Sequence, residues 1–224
     1  MALLDTAYMM EIAPVILRYV PRTMAMAAIS MVAALILSSV FAIIRVLKIP
    51  VLDLLVGIFI SFFRGTPLLV QLFLFYYGLP RIFETFAKID GMTAAVIGLT
   101  LHFTAYMAES IRGAILGVDR SQWEAAESIG MTRGRMLRRI ILPQAARVAA
   151  PTLLNYFIDL IKSTSLAFTL GVTEMMGATQ KEAAGSFLYL EAFLVVAIYY
   201  WVIVEFFSFL QRILERRMQK AFLR

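Results

Sequence analysis

Long apolar stretches are what most restricts the folds open to this 224-residue chain. A helix needs about 20 consecutive apolar residues to cross about 30 Å of hydrocarbon, and soluble folds lack runs of that length. The overall composition agrees. Hydrophobic residues make up 61% of the chain and mean hydropathy is +0.82, where soluble domains are nearer half apolar. The expected class is an all-α polytopic membrane protein with five transmembrane helices, forming one domain over residues 1–224.

The first span is expected at about 23–44, flanked by Arg18 and Arg22 before it and Arg45 and Lys48 after it, with Pro50 breaking the chain. The next apolar region, 51–79, is too long for one plain span and is interrupted by Arg64-Gly65-Thr66-Pro67. Proline fits a helix's first turn and disfavours helix in the residue before it. A short interfacial elbow is therefore expected before Arg64, then a span from Pro67 to about Pro80, with Arg64 at headgroup level. Further spans are expected at about 92–116, 145–161 and 187–210, and a connection carrying Glu174, Lys181 and Glu182 precedes the last.

Lys and Arg collect on cytoplasmic loops. With five spans, 14 of the 21 fall on one side, among them Arg112, Arg120, Arg133, Arg135, Arg138, Arg139, Arg147, Arg212, Arg216, Arg217, Lys220 and Arg224, against five on the other. The loop at about 117–143 and the C-terminus are then cytoplasmic, and the N-terminus is outside. This basic face accounts for the net charge of +6, which in a soluble protein would suggest nucleic acid. Residues 1–14 carry no Lys or Arg, so no cleavable signal peptide is expected. The absence of Cys removes disulfides and thiolate metal sites.

The cytoplasmic loop holds the most specific pattern. Glu124-Ala125-Ala126, Gly130, Ile140, Leu142 and Pro143 read E-A-A-x3-G-x9-I-x-L-P. Ser121 and Glu124 have the spacing of a capping box opening a short helix. Gly130 suits the left-handed residue that ends one. Thr132 is placed to cap a second short helix carrying Arg133, Arg135, Arg138 and Arg139, so two short helices at an angle across the membrane surface are expected. Small Ala125 and Ala126 permit close approach of a partner, and Trp123 is an amphipathic anchor. A basic loop lying on anionic lipid is the plainer alternative.

The pattern resembles the loop by which bacterial ABC-importer permeases dock their ATPase. Other segments are similar to the polar amino-acid branch of that family, the histidine, glutamine and cystine type: 63–72, Ala105-Tyr106-Met107-Ala108-Glu109-Ser110-Ile111-Arg112-Gly113, Leu142-Pro143-Gln144-Ala145-Ala146-Arg147 and Lys162-Ser163-Thr164-Ser165-Leu166. The resemblance implies the type I importer permease fold and a bacterial inner-membrane location. It also implies a second permease copy or relative, a cytoplasmic ABC ATPase dimer and an extracytoplasmic substrate-binding protein. The docking residues would be Trp123, Glu124, Ala125, Ala126, Gly130, Ile140, Leu142 and Pro143. No phosphate-cradling G-x-x-x-x-G-K-[ST] loop occurs, so ATP and Mg are expected on the partner and no cofactor or metal in this chain.

Polar residues inside spans are costly and are functional candidates. Asp159 and Lys162, three apart, share a helix face and form either an internal ion pair or a substrate or gating contact. His102 and Gln71 are the other candidates along a substrate path; a lone His in a span is more often a hydrogen-bonded packing residue than a ligand, Gln71 reads nearly as well as a packing hydrogen bond, and Tyr76 belongs with them. Glu109 is expected to pair with Arg112. One His, no Cys and no G-x-S-x-G or H-E-x-x-H motif argue against an intramembrane enzyme. A proton-coupled carrier or channel using Asp159, Glu109 and His102 is the remaining rival.

Overall fold

The computed structural model describes residues 4–222; Arg224 of the expected basic tail lies outside the described residues. Among the described residues there is no strand. Asp5 caps helix α1 (Thr6–Leu17) by accepting from the Tyr8 N–H at 3.0 Å. Three helices are long and apolar enough to cross a membrane: α2 (Val20–Leu47), α5 (Gly91–Leu116) and the part of α10 (Tyr189–Phe222) up to Arg216. Helix α3 (Leu52–Gly65) and the run Leu68–Arg81, opening with α4 (Leu68–Phe73), make a fourth if the pair, bent by 112°, counts as one span.

Length and composition therefore yield three or four spans rather than the expected five. The helix in question is α8 (Leu142–Ser163), 22 residues long, which carries Arg147, Pro151, Asp159 and Lys162. It nevertheless packs against α2, α5 and α10. Two further helices were not expected. α1 lies against α9 (Met175–Ser186) and α10 through Ile12 and Ile16. α9 occupies the connection before the last span. Neither shows a long apolar run, and tertiary contacts rather than local pattern hold them.

The central seam is α2 on α5. The buried side of α2 is a ladder of small residues, Thr23, Ala27, Ser30, Ala34, Ser38 and Ala42, meeting Ala94 and Ala95. Small side chains let two backbones approach closely, which is how helices associate where lipid supplies no hydrophobic drive. Gly98 lets α4 come close to α5 as well: a Cβ there would meet the Leu72 side chain at 2.5 Å.

Two wide turns interrupt the helices, at Leu74–Gly78 and Leu137–Ile141. In each, the residue just before a proline donates five residues back: Leu79, ahead of Pro80, to the Leu74 carbonyl, and Leu142, ahead of Pro143, to that of Leu137. The proline ring clashes with the carbonyl four residues back, and opening the turn relieves this.

Glu174 fastens one end of the fold. Fully buried, it accepts from Thr23 Oγ1 at 3.3 Å, Tyr200 Oη at 3.1 Å and the Gly177 N–H at 2.9 Å. It thus caps α9 while joining α2 to α10. At the other end Arg45 binds Asp53 at 2.8 Å and reaches Glu109 at 4.0 Å, tying the ends of α2, α3 and α5, while Glu109 also pairs with Arg112 on its own helix at 2.7 Å. Glu174→Ala strands the Thr23 and Tyr200 hydroxyls. Leaving a buried polar group unpaired costs about 1–3 kcal/mol, so thermal unfolding of the purified permease should shift clearly downward, with Glu174→Gln less affected.

Candidate functional site

The expected candidates fall into two places. The first is a cavity of about 500 Å³ lined by His102, Phe103, Tyr106, Tyr156, Asp159, Lys162, Ser163, Ser165 and Leu166. Three of the four residues proposed for a substrate path, His102, Asp159 and Lys162, thus meet on one surface, supplied by α5, α8 and the 3₁₀ segment Thr164–Leu170. Asp159 and Lys162 form an ion pair at 2.7 Å with both side chains about half exposed. A pair this exposed contributes about 0–1 kcal/mol, so an entering charged group can replace either partner.

Gln71 does not share that surface. It is fully buried and sits at the α3–α4 break, where Thr66 is extended ahead of Pro67. Pro67 has no N–H to return to the Phe63 carbonyl. The Gln71 Nε2 supplies it, at 2.9 Å, and also reaches the Thr66 carbonyl at 3.0 Å. Two carbonyls facing the amide nitrogen fix which way the amide points. Its Oε1 therefore faces His102 Nδ1, 2.9 Å away, and Nδ1 must carry the proton. In the neutral imidazole Nε2 is then the acceptor, on the ring that lines the cavity. Tyr76 packs against the core cluster.

The second place is the loop at 117–143. Helix α6 (Arg120–Ser128) is capped by Asp119, which accepts from the Ser121 N–H at 2.8 Å. These hydrogen bonds, with backbone and side chain of Ser121, hold the Asp119 carboxyl below its usual range. Its folded pKa being lowered, this contribution is present above the unfolded value and is lost as pH falls through the folded one. The expected capping box does not form. The helix starts ahead of Ser121, whose backbone is already helical, and Glu124 instead pairs with Arg120 at 3.0 Å, both exposed.

Gly130 ends α6 at φ +72°. Its N–H donates to Glu127 O at 2.9 Å and that of Met131 to Ala126 O at 3.1 Å, the paired bonds of a Schellman motif. Ala126 is buried with Met136, Leu137 and Ile141, whereas Glu124 and Ala125 face outward. Trp123 packs half-buried on the same cluster. Ile129 is 76% exposed; the sequence reading passed over it, although an apolar residue beside the Gly130 turn was the available signal. The second short helix also differs from expectation. α7 (Arg133–Met136) carries no side-chain cap from Thr132 and continues through the wide turn directly into α8. Arg133, Arg135, Arg138 and Arg139 therefore lie in one helical run with α8 rather than in a separate surface helix, and Pro143 stands in the first turn of α8.

Among the described residues no cluster of three or more His, Asp or Glu is placed to hold a metal ion. The model of the family described as "Binding-protein-dependent transport system inner membrane component" matches residues 34–220. This chain belongs to that family. As a permease component of an ABC transporter it is not itself catalytic, and ATP hydrolysis belongs to a separate subunit. It is 60% identical over 220 residues to the "Probable amino-acid ABC transporter permease protein PatM" of Vibrio harveyi, covering 98% of this chain and 99% of that one. It is 48% identical over 219 residues to the "Probable amino-acid permease protein YxeN" of Bacillus subtilis, covering 98% of each. A solved structure described as "an amino acid ABC transporter with histidines" shares 31% identity at a TM-score of 0.88, over 96% of this chain and 99% of that one.

The permease's Gln71→Leu variant would leave the Phe63 and Thr66 carbonyls without their donor and free the His102 ring. At about 1–3 kcal/mol per stranded group, the expected result is a lower unfolding temperature together with loss of the single Nδ1–H tautomer in the imidazole ¹⁵N spectrum.

Proposed function

We propose that this permease subunit carries a polar amino acid inward across the bacterial inner membrane, and that the His102–Asp159–Lys162 cavity is where the substrate passes. The observation that carries this reading is the exposed Asp159–Lys162 pair beside the His102 acceptor. A zwitterion offers an ammonium to Asp159 and His102 Nε2 and a carboxylate to Lys162, exchanging a weak internal pair for two intermolecular ones. The names of the relatives at 60% and 48% identity support the substrate class. In this reading α8 is the fifth span, the N-terminus lies outside and the 117–143 loop inside. Two copies, or this chain and a related permease, assemble with an ATPase dimer and receive substrate from an external binding protein.

ATP closes the ATPase pair, and the docked loops shift the helices between inward- and outward-open states. Any such coupling requires the loop to bind differently in the two states. Glu124, Ala125 and the exposed Ile129 form the face offered to the ATPase, with Trp123, Ala126, Ile140, Leu142 and Pro143 holding that face in place. Gly130→Pro and Glu124→Arg should each lower ATPase co-purification at least fivefold while membrane insertion stays normal; undiminished co-purification with both would refute the docking assignment.

Uptake tests the whole reading. Proteoliposomes holding permease and ATPase, given the binding protein and a panel of amino acids, should take up substrate only with ATP. Asp159→Asn and His102→Leu should each raise KM about tenfold or more, the loss expected for a hydrogen bond to a charged group, with ATPase co-purification unchanged. Uptake driven by a proton gradient without any ATPase would instead establish the carrier.

A further inference from the structure

A second cavity, of about 360 Å³, opens between α2, α5 and α8 in the half of the bundle nearest the loop. Its walls are Leu35, Ser39 and Ile43 on α2, Ile111 and Ile115 on α5, and Leu142, Ala145, Ala146, Ala149 and Leu153 on α8. The hydroxyl of Ser39 is already committed to the Leu35 carbonyl at 2.7 Å. No free donor lines the space, so it suits an apolar occupant.

Its depth is that of one leaflet. Leu142 to Leu153 rises about 16 Å at 1.5 Å per residue, close to half of an about 30 Å hydrocarbon core. The helical run that forms this wall continues back through the wide turn to Arg138, four residues before Leu142. There Arg135, Arg138 and Arg139 line an open cleft with Gly134. Among the described residues none of these three arginines enters an ion pair or hydrogen bond. An apolar crevice one leaflet deep, headed by unpaired cations, has the shape and charge of a single ligand class.

We infer that this crevice binds an anionic phospholipid of the cytoplasmic leaflet. One acyl chain lies between α2 and α8 and the phosphate rests on Arg138 and Arg139. Guanidinium groups suit phosphate oxygens, which accept two parallel N–H bonds, and basic residues at this level are drawn to anionic lipid. The small side chains of Ala145, Ala146 and Ala149 are what keep the space open. The site rests on the orientation given above only for its leaflet, and the test below reads binding without it.

The test uses the assembled transporter in nanodiscs of phosphatidylcholine doped with phosphatidylglycerol carrying a photoreactive acyl chain. Labelled peptides should map to 142–153 and 35–43, with phosphatidylglycerol labelling at least fivefold above a photoreactive phosphatidylcholine. Ala146→Leu, which fills the crevice, should cut labelling at least fivefold. Leu35→Trp does the same from the opposite wall, should the first variant fail to fold. Arg138→Gln with Arg139→Gln should erase the preference for the anionic headgroup while leaving acyl labelling. Equal labelling of both lipids overturns the headgroup half of the proposal. Unchanged labelling in the filled variant, or cross-links there to a second permease copy, overturns the site. Loss of uptake with labelling intact would instead count against the transport reading alone.

Discussion

The Gln71 side-chain amide stands where a backbone donor is missing. Pro67 breaks the helix between α3 and α4 and leaves carbonyls of Phe63 and Thr66 without partners, in a bundle where little water can reach them. An unpaired carbonyl there costs too much to keep, so the bend of 112° is tolerable only because one buried side chain reaches back over it. Much else follows from this contact. It sets where the second span begins, holds α4 against α5, and settles the proton on the ring that lines the larger cavity. A residue with the shape of glutamine but without its donor would leave the bend unsupported.

Close approach of α2 and α5 is the second determinant. A ladder of alanines and serines every three or four residues lets the two backbones meet, with Ser30 Oγ reaching the Val96 carbonyl at 3.3 Å. Glu174 then ties this pair to α9 and α10 through hydroxyls. The resulting frame is held less by bulk apolar packing than by small surfaces and satisfied polar groups, as expected for a bundle surrounded by hydrocarbon.

Much of this was legible in the chain. The 23–44 and 92–116 stretches became α2 and α5 with ends shifted by a few residues, and the break at Thr66-Pro67 fell where the proline rule put it. Gly130 adopts the positive φ that its place predicted. What was not legible had local signals that tertiary structure overrode. Ser121 and Glu124 had the spacing of a capping box, but Asp119 stood two residues earlier and Arg120 took the glutamate. Thr132 promised a separate helix; the following run fused with α8, because a wide turn absorbed Pro143 instead of stopping there. Helix α1 was invisible because its contacts lie far away in sequence, on α9 and α10, and α9 because it has no long apolar run and is fixed by its buried cap, Glu174. Gln71 read equally as path and packing until its partners fixed it.

The His102 tautomer has a use beyond recognition. It is the chain's only histidine, and its Nδ1 proton is held only while Gln71 remains over the carbonyls of the α3–α4 joint. The ring is therefore a built-in reporter whose signals need no assignment. Any movement that straightens the joint frees the amide and equalises the two ring nitrogens. The hinge between α3 and α4 can be watched from a residue on α5.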